Sequence, residues 1–106
     1  MATFSDRDKA FESKFAHDQE TEFKACARRS RLLGLWAAKQ MGLTDEDADA
    51  YAAEVVDREI EKKGDEEVFE KVWGDLKDKV PDISEHQVRR QMEQLLVVAR
   101  NEIRKG

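Results

Sequence analysis

At 106 residues the chain is long enough for one domain with one core and too short for two. Apolar residues make up 40% and charged residues 41%, so a modest core sits under a densely charged surface, a balance that suits amphipathic helices. The net charge of -5 repels a phosphate backbone and argues against nucleic acid as a partner.

The longest run free of polar side chains, Leu32 to Ala38, falls far short of a membrane span. The N-terminus becomes charged almost at once, at Asp6, so no secretory signal is expected. The single cysteine, Cys26, cannot form an internal disulfide and fits a reducing interior. These features predict a cytoplasmic protein that is not inserted in a membrane.

Gly42, Gly64 and the region of Pro81 divide the sequence into four helical segments. The first is unusual, because between Ser5 and Met41 it holds one glycine, Gly34, and no proline. A continuous helix there would extend roughly 55 Å, about twice the other segments. From about Thr21 to Met41 it is rich in apolar side chains, with Phe23, Ala27, Leu32, Leu33, Leu35 and Trp36. Before that it offers only Phe4, Ala10, Phe11, Phe15 and Ala16 among charges. A bundle sized to the shorter segments has no room for this first half.

The second helix is expected to be capped by Thr44, with Asp45, Glu46 and Asp47 at the positive end of its dipole. Ala48, Tyr51, Ala52, Val55, Val56 and Ile60 form its apolar stripe, and Gly64 is a natural C-terminal stop. The third begins near Asp65 and carries Val68, Phe69, Val72, Trp73, Leu76 and Val80. Gly74 in its middle costs about 1 kcal/mol relative to alanine, and Pro81 disfavours a helical Val80 and ends it. In the fourth, from about Glu85 to Arg104, Ser84 and Gln87 make a capping box, with Ile83 and Val88 placed as a hydrophobic staple. Val88, Met92, Leu95, Leu96, Ala99 and Ile103 recur at steps of three and four. The expected fold is all-α: a four-helix bundle over residues 21–106, with a long first helix whose N-terminal part, residues 1–20, projects or is mobile.

Few residues support chemistry. A di-iron bundle site needs Glu-x-x-His pairs, but Lys14 precedes His17 by three and Ile83 precedes His86 by three. Cys26 lies mid-helix without a base or an oxyanion hole and reads as a buried small side chain. Asp45, Glu46, Asp47 and Asp49 lack the glycine turn of a calcium loop. Trp36 and Trp73 read as core. No glycine-rich phosphate loop occurs, so neither an enzyme nor a cofactor is expected. Arg28, Arg29 and Arg31, with Lys24, are either a solvated helix face or contacts to a phosphate or a partner's carboxylates.

The N-terminal segment is different. Phe4, Phe11 and Phe15 are spaced by seven and four, which puts them on one side of a helix. They either extend the core stripe of the first helix or serve as anchors of a helix that binds in a groove. Burying three phenylalanines gains on the order of 5–9 kcal/mol, whereas ordering some fifteen residues costs about 1–2 kcal/mol each. Such a segment is marginal alone and becomes stable in a partner's groove.

The string from Phe4 to Asp18, then Phe23-Lys24-Ala25, Ala27-Arg28-Arg29 and Leu32 to Ala38, resembles the opening of the zeta subunit of alphaproteobacterial ATP synthases. The stretch Ser84 to Arg90, with Met92, Leu95 and Leu96, is also similar. Ser30, where asparagine is usual, and Cys26, where the family varies, depart from the pattern outside the N-terminal motif. The resemblance implies a four-helix inhibitor of ATP hydrolysis by the F1 head, a monomer when free. Its N-terminal segment would insert between catalytic alpha and beta subunits near the gamma subunit. By the same resemblance Phe4, Arg7, Phe11, Lys14 and Phe15 would form the wedge. The alternatives are a nucleotide sensor gripping phosphates through Arg28, Arg29 and Arg31, or an adaptor with another partner.

Overall fold

Four helices account for the regular structure among the described residues: α1 (Ala2–Gln40), α2 (Asp45–Lys62), α3 (Asp65–Lys79) and α4 (Glu85–Lys105). The structure is a computed structural model that describes the backbone of residues 2–62 and 64–105 and the side chains of residues 19–61 and 64–104. The expected all-α fold and its four segments are present, with a first helix of 39 residues against 15 to 21 for the others.

Each boundary has a local cause. At the end of α1, Leu43 N–H donates to the Ala38 carbonyl at 2.8 Å and Gly42 N–H to the Lys39 carbonyl at 3.1 Å. This paired pattern closes the last turn and requires a left-handed residue, which Gly42 supplies with φ 80°. The Thr44 carbonyl accepts from Asp47 and Ala48 N–H at the start of α2. Gly64 departs from expectation: with φ -162° it is extended and serves as the N-cap of α3 instead of a left-handed stop to α2. α3 ends where Pro81 dictates, at a non-helical Val80 whose N–H still reaches the Leu76 carbonyl at 2.7 Å. The capping box of α4 is complete: Gln87 N–H donates to Ser84 Oγ at 3.2 Å, and Gln87 Oε1 accepts from Ser84 N–H at 2.8 Å.

α1 packs against all three other helices, while α2 and α4 lie apart among the described residues. Leu33, Ala37, Ala38, Val55, Val68, Val72, Leu76 and Val88 are fully buried in the shared core. Trp36 and Trp73 are partly buried against it, in keeping with a core role. Phe69 stacks on Trp73 with ring centres 6.5 Å apart, and the Arg89 guanidinium covers the Phe69 ring at 3.8 Å. A polar clasp joins α2 to α3: Tyr51 donates to Asp75 Oδ2 at 2.8 Å, and Lys71 donates to the same oxygen at 3.1 Å. Burial, reinforced by this bond, pushes the Tyr51 phenol well above its ordinary range, so it stays protonated and keeps the proton it donates to Asp75.

Two stripe residues are corrections. Ile60 is 49% exposed and Phe23 is 52% exposed, although their apolar character predicts burial. In their place two charged residues, Arg29 and Glu59, enter the interior. The glycine in α3 stands in open space, with nothing within 4 Å of a side-chain carbon built on it. Gly74→Ala should therefore raise stability by about 1 kcal/mol, read from thermal or urea unfolding.

Candidate functional site

The expected wedge residues Phe4, Arg7, Phe11, Lys14 and Phe15 belong to the first turns of α1. Their side chains lie outside the described residues, as does His17. The described side chains of α1 begin at Gln19, and the contacts of its next turns to the other helices are largely ion pairs.

Three seams meet there. Glu22 accepts from Arg100 of α4 through both oxygens, at 2.5 and 3.1 Å. That bidentate bond holds the Glu22 carboxyl below the usual carboxylate range. One turn and a half further, Arg28 donates to Glu102 of α4. On the next residue the direction changes. Arg29 turns inward, 1% exposed, and donates to Asp65 Oδ1 at 2.8 Å while lying 3.6 Å from Glu59 Oε1. The three arginines therefore do not converge. Arg28 lies on the α4 seam, Arg29 is in the interior, and only Arg31 is exposed without an ion pair among the described residues.

The interior pair is incompletely satisfied. Arg29 Nε, Ser30 Oγ and Glu59 Oε2 are buried without a hydrogen-bond partner among the described residues. Burial pushes the Glu59 carboxyl above its ordinary range, and Arg29 draws it partly back. Burial likewise raises the neighbouring Cys26 thiol, which keeps it protonated and chemically quiet. Beside this pair an open-sided cavity of about 350 Å³ is bounded by Phe23, Cys26, Glu59 and Asp65, with Gln19 and Glu22 at its outer edge. Sequence reasoning misses Glu59 and Asp65 altogether, although Glu59 lies four residues after Val55, on the same stripe.

Among the described residues, no group of three His, Cys, Asp or Glu side chains is placed to hold a metal ion, and no helix is long and apolar enough to cross a membrane. The site is made of ion pairs, an exposed aromatic ring and a helix that continues past them. Such an arrangement suits protein recognition.

Comparison with known proteins gives the partner class. A chain solved by solution NMR is 44% identical over 79% of this chain and 95% of its own length, with a TM-score of 0.69. No functionally curated protein matches. The family model described as ATPase inhibitor subunit zeta matches residues 1–102, which takes in the whole of α1 and all but the last turn of α4. On that match the chain belongs to the ATPase inhibitor subunit zeta family, and its role is the regulatory one of an ATP synthase inhibitor.

Proposed function

We propose that residues 1–20 act as a wedge that seats Phe4, Arg7, Phe11, Lys14 and Phe15 between catalytic alpha and beta subunits of the F1 head, near gamma, and blocks rotation in the hydrolytic direction. The observation that carries this reading is a mismatch of lengths. α4 meets Glu22 through Arg100 and ends five residues later, at Lys105. α2 meets Arg29 through Glu59 and ends three residues later, at Lys62. At 1.5 Å per residue, about 8 Å of α4 follows Arg100, against about 30 Å of α1 before Glu22. The helices that cover the later part of α1 are too short to follow it to its start.

Helical register supports the same reading. At about 100° per residue, positions 4, 11 and 15 fall on the side of α1 that carries Glu22, Arg29 and Leu33. In sequence register the stripe that α2, α3 and α4 cover in the bundle is thus preceded by phenylalanines. The two readings of those residues, core stripe and docking anchor, become one: the stripe is completed by a partner. A cleft that closes during hydrolysis would be held open by the wedge, and one that opens during synthesis would release it. Acting there, the protein would work at the cytoplasmic face of the inner membrane through F1.

Purified F1 hydrolysis with and without the protein is the test. The full chain should inhibit. Residues 19–106 should melt as a cooperative helical bundle and fail to inhibit, and unchanged inhibition by that fragment would rule the wedge out. Phe11→Ala should weaken inhibition on the order of tenfold, as expected for one aromatic anchor among several.

A further inference from the structure

The fold splits the basic run of α1 and leaves most of it facing outward. From Phe23 to Gln40 the helix carries five cations, Lys24, Arg28, Arg29, Arg31 and Lys39, and no carboxylate, in a chain with 24 acidic residues. Arg29 turns inward with Ala25, Leu33 and Ala37, on the side that the other helices cover. Lys24, Arg28, Arg31 and Leu35 lie about 140–180° around the helix from Leu33. The three cations are exposed, and Leu35 among them is half-buried. Their own partners are few. Lys24 pairs with Glu20 one turn away at 3.4 Å, Arg28 reaches Glu102, and Arg31 has no ion pair among the described residues. Exposed pairs of this kind exchange partners at little cost. The contact of Arg28 with Glu102 makes α4 the border of this face. Val98, one turn before Glu102 and on the same side of α4, is 43% exposed. A row of cations beside two accessible apolar side chains is complementary to an acidic protein surface with an apolar residue among its carboxylates.

We propose that this open face of α1 is a second docking surface, and that its occupant is an acidic surface of the ATPase subunit lying on the side of the helix away from positions 4, 11 and 15. This choice of occupant rests on the function proposed above. A helix seated between two subunits meets one on each side, and α1 runs as a single helix from Ala2 to Gln40. Its two sides differ in chemistry, with phenylalanines in register on one and cations on the other. The stripe chiefly speeds the encounter and sets its orientation, while the aromatic side holds the complex.

The test measures association and dissociation of the full-length chain with purified F1. Lys24→Glu combined with Arg31→Glu, both at exposed positions, should keep a cooperative melt and associate about tenfold more slowly at low salt. The gap to wild type should close as salt rises to about 0.3 M, where exposed charges are screened. Val98→Asp, on the α4 edge of the same face, should act in the same direction. Lys77→Glu combined with Lys79→Glu makes the same change in net charge on α3 and should associate nearly as fast as wild type. Wild-type association by the α1 double variant overturns the surface. So does a gap that persists at high salt, or an equal slowing by the α3 pair, which would reflect net charge alone. Failure of the wedge reads out separately, as undiminished inhibition by residues 19–106 and by Phe11→Ala, whatever the α1 variants do to the association rate.

Discussion

Replacing Arg29 with methionine should lower the melting temperature by more than about 10 °C. The side chain is 1% exposed and faces two carboxylates, of which Glu59 is itself buried. Asp65 is 70% exposed and returns to water without its partner, but Glu59 has no such recourse. Removing one member of a buried ion pair leaves an uncompensated charge and costs about 3–5 kcal/mol, which translates into a shift of that size for a domain of this length. The loss has a pH signature. Burial already raises the Glu59 carboxyl above its ordinary range, and Arg29 opposes the rise. Without Arg29 it rises further, so the folded variant retains a proton that the unfolded chain releases. Stability of the variant then grows as pH falls from neutral toward the unfolded value. The gap to wild type should be smaller at about pH 5 than at about pH 8. A gap independent of pH would show that Glu59 is not the group left stranded. Combining Arg29→Met with Glu59→Leu should recover most of the loss, because an apolar pair of similar volume incurs no desolvation cost.

Gly34→Ala should destabilise the bundle, in the direction opposite to the same substitution at Gly74. A side-chain carbon at Gly34 would stand 2.6 Å from Ala52 Cα and 3.2 Å from both Ala52 Cβ and Val55 Cγ2. The first of these atoms is backbone, so relief requires α1 and α2 to move apart and open the core on either side. Overpacking of this kind costs about 1–3 kcal/mol. Alanine returns about 1 kcal/mol of helix propensity, which offsets part of the cost. Gly34→Leu lacks even that balance and should lose several kcal/mol, by extension of the same overpacking. Urea unfolding of Gly34→Ala, Gly74→Ala and the double variant would check both signs. The effects should add, since Gly74 meets nothing within 4 Å. Stabilisation by Gly34→Ala would mean that α1 and α2 are not packed this closely.

The elements were legible wherever the chemistry is local. Ser84 with Gln87, Pro81, Gly42 and the absence of breakers between Ser5 and Gly34 act within a few residues, and the helix boundaries follow them. Arg29 shows the limit. In sequence it stands in a basic run with Arg28 and Arg31 and reads either as part of a solvated face or as a contact to a phosphate or a partner's carboxylates. Its register, four residues after Ala25 and four before Leu33, is that of the core, and Glu59 stands four after Val55. Opposite charges on the apolar stripes of two helices are a legible sign of an internal pair. Periodicity does not say which helices face one another, however, so the partner can be named only from the fold. Phe23 and Ile60 fail in the other sense. Their side chains are apolar, but they lie toward the end of the bundle where α2 runs out, and too little protein remains to cover them.

The ion pairs that fasten α4 to α1 join residues 78 and 74 positions apart, so the last helix closes on the first. During synthesis, at about 5–20 residues per second, α1 therefore waits through most of the translation of the chain before its final neighbour emerges. The seam between α1 and α4 is finished only when α4 has been made. A ribosome stalled before Arg100, or a protease trimming the last two turns, would leave a chain that carries the whole family motif at its front but lacks the seam that anchors it.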